Sequence, residues 1–228
     1  MNSNELSFVR DMFDRIAPYY DFLNRLLSLR RDVFWRRVLV ESLQAPATEI
    51  LDVACGTGDV ALQIAASYPQ ARIVGVDFAP RMLDRALAKI KGKPIRLAAA
   101  DAFALPFRSR SFDAVTIAFG IRNIQDKKGA LRRFHDQLKE GGRLAVLELA
   151  APDPSLLRRI YLYYFNRLLP LVGRLFSRHS FAYAYLPASV AQFPPANVFA
   201  GMMRAAGFSN VRYRKLTFGI AVLFVGEK

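Results

Sequence analysis

Three aspartates and a pair of glycines are the first residues in this chain whose types and spacing suggest chemistry. In Asp52-Val53-Ala54-Cys55-Gly56-Thr57-Gly58-Asp59, the glycines stand where a backbone must turn tightly and come close to a ligand. Gly56-x-Gly58-x-x-Ala61 satisfies the dinucleotide fingerprint, and Asp77 follows 19 residues after Gly58. A carboxylate at that point accepts hydrogen bonds from a ribose diol, a group common to NAD and S-adenosylmethionine. Two further acids favour S-adenosylmethionine. Asp52 sets a negative charge close to the loop, unfavourable beside a pyrophosphate but suited to an ammonium group or an ordered water. Asp101-Ala102 falls where the exocyclic amine of an adenine needs an acceptor, although Asp101 taken alone reads first as a loop cap.

These residues need strands and turns to hold them. The first forty residues are helical in pattern, with Phe8, Met12, Phe13, Ile16 and then Leu23, Leu26, Leu27 at spacings of three and four. Pro18 divides them into two helices or a kinked one. After Pro46 the pattern alternates. Strands are expected at Glu49–Ala54, Arg72–Asp77, Ile95–Ala100, Asp113–Ala118 and Arg143–Leu149. Helices are expected at Asp59–Ser67, Pro80–Lys91 and Lys127–Lys139, the last closed by Gly141 and Gly142. Val198–Ala206 reads as a helix, and Val211–Leu216 with Ile220–Val225 as an antiparallel edge. The fold class is therefore α/β: a doubly wound, mostly parallel seven-stranded sheet covered on both faces. One domain is expected over 1–228, made of N-terminal helices (1–46), a cofactor-binding core (49–150), a helical insertion (153–195) and a C-terminal helix with edge strands (196–228).

Further stretches resemble a family. Met12-Phe13-Asp14-Arg15-Ile16-Ala17-Pro18-Tyr19-Tyr20-Asp21, the glycine loop, and Asp101-Ala102 with Leu105-Pro106-Phe107 are three of them. Phe112-Asp113-Ala114-Val115-Thr116-Ile117-Ala118-Phe119-Gly120-Ile121-Arg122-Asn123 is a fourth, followed by Leu138-Lys139 with Gly141-Gly142-Arg143-Leu144. Tyr183 with Tyr185-Leu186, and Ala206-Gly207-Phe208, complete the set. The loop is similar to motif I of class I S-adenosylmethionine-dependent methyltransferases, which implies a Rossmann-like fold. From about residue 8 to 226 the chain resembles the C-methyltransferases of ubiquinone and menaquinone biosynthesis. It departs from that pattern at Cys55, where the family has a second glycine. It departs again across Leu29-Arg30-Arg31-Asp32-Val33-Phe34-Trp35-Arg36, which stands in place of Gly-x-His-x-x-Trp-Arg and is expected to border the acceptor pocket.

The resemblance implies S-adenosylmethionine-dependent methylation of a polyprenyl quinol, demethylmenaquinol first and a ubiquinone-precursor benzoquinol as the alternative. Asp52, Gly56, Thr57, Gly58, Asp77, Asp101, Ala102 and Phe119 would bind the cofactor, with Gly56, Thr57 and Gly58 under its amino-acid end. A ring carbon becomes nucleophilic as the neighbouring hydroxyl sheds its proton, so the site needs a group for that charge. Arg122 and Asn123 follow the fourth strand, at the sheet edge where open α/β folds bind ligands. Arginine stays protonated and suits an oxyanion better than the part of a base. A structural pair with Asp126 is its alternative. Tyr20, with Tyr19, would line or cover the acceptor. His135 reads as a surface residue, and His179, in the insertion, is not counted among the site residues although it could approach the acceptor. No metal is expected.

Composition bounds these readings. Among 228 residues, 53% hydrophobic and 23% charged is globular, and a single cysteine excludes a disulfide framework. The 33 Lys and Arg, of which 25 are Arg, against 19 Asp and Glu leave a net charge of +14. That field favours anionic partners, or reflects nothing more than an arginine-rich host. Met1–Ile16 lacks the apolar core of a signal peptide, so the expectation is a cytoplasmic protein, with peripheral contact at the inner face of a membrane as a further option. Ser155–Arg178 reads as a basic amphipathic helix, with Arg159, Arg167, Arg174 and Arg178 along one side, either lying on anionic lipid or buried with a solvated arginine edge. Two rival functions, an RNA methyltransferase and a non-catalytic nucleotide-binding module, are disfavoured. The run after strand four is neither Asn-Pro-Pro-Tyr nor a cysteine nucleophile, and the acidic strand ends are intact. No nucleic-acid partner is expected, and the oligomeric state is left open.

Overall fold

Successive apolar residues along each strand pack on opposite helical layers, and this alternation organises the molecule. The computed structural model describes residues 3–43, 46–152 and 180–228. Its strands are β1 (Glu49–Val53), β2 (Arg72–Asp77), β3 (Ile95–Ala99), β4 (Phe112–Ala118), β5 (Leu138–Leu149), β6 (Ser209–Leu216) and β7 (Ala221–Glu227). They form one sheet in the order β3-β2-β1-β4-β5-β7-β6. The first five are parallel neighbours, while β7 runs antiparallel between β5 and β6. On β1, Ile50 joins the layer of α3 (Arg31–Glu41) and α4 (Asp59–Ser67), packing with Trp35, Leu39, Val60 and Ile64. Leu51 and Val53 join the other layer, with Leu131 and Phe134 of α6 (Lys127–Gln137) and Phe199 and Met203 of α8 (Ala196–Ala205). Continuous apolar runs such as Leu144–Leu147 follow directly, because both faces of the sheet are covered.

The N-terminal expectation of two helices is met by α1 (Ser3–Ile16) and α2 (Tyr20–Leu27), with Pro18 between them. Helix α5 (Pro80–Lys89) begins on Pro80, and α7 (Ser180–Gln192) follows residue 179. One boundary is corrected. The helix expected to reach Lys139 ends at Gln137, because Leu138 is fully buried and pairs with Phe112 as β5 begins. Gly141 and Gly142 cap no helix. They bond to the C-terminus instead, Gly141 N–H to Lys228 O at 3.1 Å and Lys228 N–H to Gly142 O at 2.9 Å. His135 packs its ring edge on Phe208, 5.1 Å between centroids, far from the carboxyl ends of the strands. The amphipathic stretch Ser155–Arg178 and His179 lie outside the described residues. No helix among the described residues is long and apolar enough to cross a membrane.

Candidate functional site

The order reverses between β1 and β4, and the turns that follow these two strands frame the site, as expected at the switch point of an open α/β sheet. After β1, Ala54 (φ 52°), Gly56 (φ 55°) and Gly58 (φ 83°) reverse the chain into α4. Gly58 also packs on α5, where an added Cβ would stand 3.3 Å from that of Ala86. After β4, a Cβ on Gly120 would lie 2.8 Å from that of Ala54, so the two turns touch only because glycine is there. Hydrogen bonds from Gly56 N–H (2.8 Å) and Ala79 N–H (2.9 Å) fix the Asp77 carboxylate. Burial raises its pKa against those bonds.

Two cavities meet at this edge. The larger, about 430 Å³, is mostly apolar and lies under α1, α2 and α3, bounded by Arg122, Tyr185, Leu186 and the β6–β7 turn. Leu29, Arg31, Asp32, Trp35 and Arg36 line it, so the stretch expected to border the acceptor pocket does border this cavity. The second is lined by Gly56, Asp77, Asp101, Ala102 and Asn123, with Phe78, Met82 and Phe103. Phe13, Tyr20 and Phe119 line both. The second is narrow here, about 80 Å³, with Val9, Phe13 and Tyr20 closing over it. Small-ligand sites hold roughly 300–1,000 Å³. The second cavity, closed in by these side chains, is below that range.

Asp52, Thr57 and Gly58 line neither cavity. Thr57 donates to Asp21 at 2.6 Å and accepts from Lys89 at 3.0 Å. Lys89 also pairs with Asp21 and Asp59, Asp59 with Arg25 and Arg36, and Arg36 with Asp32. This half-buried network ties α2 and α3 to the glycine loop. Burial works against the Asp21 charge, but hydrogen bonds from Lys89 and Thr57 outweigh it and hold the pKa below the usual range. Sequence reasoning missed these residues. Only the Asp59 next to Gly58 and the Asp21 after Tyr20 hinted at them.

Asp52 is buried, accepts a 2.7 Å hydrogen bond from Thr116 on one oxygen, and has no partner on the other among the described residues. Burial pushes its pKa up to about 7, opposed by the Thr116 bond. An acid with a raised pKa in the folded state binds its proton more tightly there than in the unfolded chain. Its contribution to stability is therefore greatest near the ordinary carboxylate value of ~4 and falls as the pH rises through about 7. Wild type is expected to lose stability relative to Asp52→Asn between about pH 5 and about pH 8, as read by urea unfolding. A difference independent of pH would contradict a buried carboxyl that ionises there.

Arg122 lines the larger cavity, its side chain 7% exposed. It pairs with the fully buried Glu148 at 2.7 Å and donates to Phe119 O, while its backbone N–H gives Glu148 a second bond at 3.0 Å. The expected alternative partner, Asp126, instead caps α6 through Gly129 N–H at 2.8 Å. Burial opposes the guanidinium charge, but the Glu148 carboxylate overrides it and raises the pKa further. Arg122 is a permanent cation. Arg122 Nε has no partner among the described residues. Burial likewise raises the phenol pKa of Tyr20 and of Tyr185, which keeps both neutral. Tyr185 donates to Asn123 Oδ1 at 3.1 Å. Tyr19 is exposed and lines neither cavity. Asp101 does cap its loop, accepting from Phe103 N–H at 2.8 Å on one oxygen, and it also lines the second cavity.

A model of the ubiE/COQ5 methyltransferase family matches residues 1–228. A ubiquinone/menaquinone biosynthesis C-methyltransferase of Geotalea uraniireducens is 47% identical over 226 residues, covering 96% of each chain. A demethylmenaquinone methyltransferase of Thermus thermophilus is 49% identical over 220 residues, covering 95% of this chain and all of that one. Among solved structures, an S-adenosylmethionine-dependent methyltransferase of Thermotoga maritima superposes with a TM-score of 0.69 at 22% identity, over 96% of this chain and 99% of its own. That likeness concerns the fold alone, and the fold is that of the class I methyltransferases.

Proposed function

This chain belongs to the ubiE/COQ5 methyltransferase family, and we propose that it methylates a ring carbon of a polyprenyl quinol, demethylmenaquinol first. When bound, S-adenosylmethionine supplies an electrophilic methyl group on its sulfonium. The residues facing the second cavity have the donor set this cofactor needs. Asp77 keeps lone pairs for a ribose diol beyond the two backbone bonds it accepts, and Asp101 has one oxygen not used by its loop. Gly56, Ala102 and Phe119 complete that wall. Asp52, Thr57 and Gly58 would act from behind it, shaping the loop.

One observation supports the reading above the rest. The apolar cavity and the carboxylate-lined one share Phe13, Tyr20 and Phe119, and a fixed cation, Arg122, lies on the apolar side. A quinol in that cavity meets Arg122 as the group that stabilises its ionising hydroxyl, which makes the adjacent ring carbon electron-rich. Neutral Tyr20 and Asn123, the latter held by Tyr185, orient the ring at the junction. Glu148 holds Arg122 in place. The apolar walls exclude water and suit a ring with an isoprenoid tail. Tyr185 and Leu186 of α7 close the acceptor side. A long-tailed quinol stays in a bilayer, so the chain meets it at a membrane surface.

Mass spectrometry of the quinones from a host with and without this chain tests the proposal. The expected result is accumulation of the quinone one methyl lighter when the chain is absent, reversed by restoring it. An unchanged quinone profile would overturn it.

A further inference from the structure

Two tight turns stand at the mouth of the larger cavity, and both adopt backbone that their residues ordinarily avoid. Between α2 and α3, Leu29 (φ 50°) and Arg30 (φ 61°) are left-handed, as are Thr217 (φ 45°) and Phe218 (φ 58°) between β6 and β7. Glycine and asparagine take such positions readily, whereas a bulky or β-branched residue there is a genuine outlier. Strain of this kind, when the surroundings enforce it, points to a function. Here it holds two large apolar side chains out in water. Leu29 is 78% exposed and Phe218 77%, the highest values among the large apolar side chains described. Both also line the cavity. A hydrogen bond of 2.8 Å from Trp35 Nε1 to Thr217 Oγ1 links the second turn to α3, so the two form one rim.

Among the described residues, the exposed charges on the two turns have one sign. Arg30, Arg31 and Lys215 are exposed, and Asp32, the acid that follows the first turn along the chain, is buried and paired with Arg36. Residues 209–220 contain no acid at all. Neither Arg30 nor Arg31 forms an ion pair with another described residue. Apolar tips ringed by bases, on a chain of net charge +14, complement an anionic bilayer.

We infer that this rim is the face that docks on an anionic membrane. Leu29 and Phe218 enter the boundary between headgroups and acyl chains, and Arg30, Arg31 and Lys215 lie against lipid phosphates. The inference rests on the reading of the larger cavity as the quinol site. The apolar rim runs directly into the apolar cavity, so an isoprenoid tail passes from bilayer to site without crossing water.

Flotation of the full chain on phosphatidylcholine vesicles, with and without phosphatidylglycerol, tests it. Wild type is expected to bind the anionic vesicles preferentially. Leu29→Ser with Phe218→Ser should weaken binding about tenfold or more, the scale of apolar burial lost. Arg30→Gln with Arg31→Gln should cost about fivefold per arginine on anionic vesicles and little on neutral ones. Leu87→Ser, which removes an exposed side chain on α5, should change nothing. Calorimetric titration with S-adenosylmethionine confirms that each variant is folded. Amide exchange of wild type needs no variant: residues 28–31 and 216–219 should slow when anionic vesicles are added. The docking face is overturned if wild type binds neither vesicle, if the Leu29/Phe218 variant floats like wild type, or if Leu87→Ser is equally damaging. Loss of a lipid-independent dimer in the Leu29/Phe218 variant would assign the rim to a second copy and also overturn it. Methylation of a detergent-dispersed quinol by a chain that fails to float would refute the docking face alone. Docking without quinol methylation would refute the functional reading alone.

Discussion

Arg122→Ala lowers the rate of methyl transfer by about 10²–10³ while cofactor affinity stays within about twofold, the signature of losing one oxyanion donor. Arg122 lines the apolar cavity and not the carboxylate-lined one, so its charge acts on the acceptor. Its ion pair complicates the single variant. Removing Arg122 leaves Glu148 fully buried and uncompensated, and breaking a buried pair from one side costs about 3–5 kcal/mol of stability. Arg122→Ala with Glu148→Gln separates the two effects. The double variant should regain much of the stability and none of the rate, as read by urea unfolding and single-turnover kinetics. If cofactor binding collapses while bound enzyme turns over normally, Arg122 belongs to the cofactor site.

Asp77→Ala is expected to weaken S-adenosylmethionine by about 1.5–3 kcal/mol, roughly 10- to 150-fold, the range for hydrogen bonds to a charged group. Part of that loss comes from the loop itself, because Asp77 also holds Gly56 N–H and Ala79 N–H. Calorimetry alongside thermal unfolding of the ligand-free chain apportions the two. Unchanged affinity would remove Asp77 from the ribose position.

The parts of this molecule that were legible in advance are those whose signal is local. Strand runs such as Arg72–Asp77, the helix start at Pro80 and the break at Pro18 each depend on residues within a few positions, and each is found where expected. The glycine turn was legible for the same reason. What local spacing does not carry depends on partners far along the chain. Arg122 has Asp126 four residues away, yet it pairs with Glu148 on β5, brought near by strand pairing that no spacing reveals. Thr57 was read as a cofactor contact, but its hydroxyl is taken by Asp21 and Lys89, 36 and 32 residues distant. Gly141 and Gly142 imitate a helix cap because that signal is identical to the turn they make against the C-terminus. The division of the site into two cavities that share Phe13, Tyr20 and Phe119 emerges only when α1 and α2 pack over the strand ends.

The most direct measurement is methyl transfer in vitro. The purified chain is given S-adenosylmethionine labelled in its methyl group and detergent-dispersed demethylmenaquinol under reducing conditions, with a ubiquinone-precursor benzoquinol alongside. The account predicts that label appears on a ring carbon of the naphthoquinol, in amounts equal to the S-adenosylhomocysteine formed, and that Arg122→Ala abolishes most of it without loss of cofactor binding. Cofactor bound with no label in either quinol, or label transferred equally well by Arg122→Ala, would contradict it.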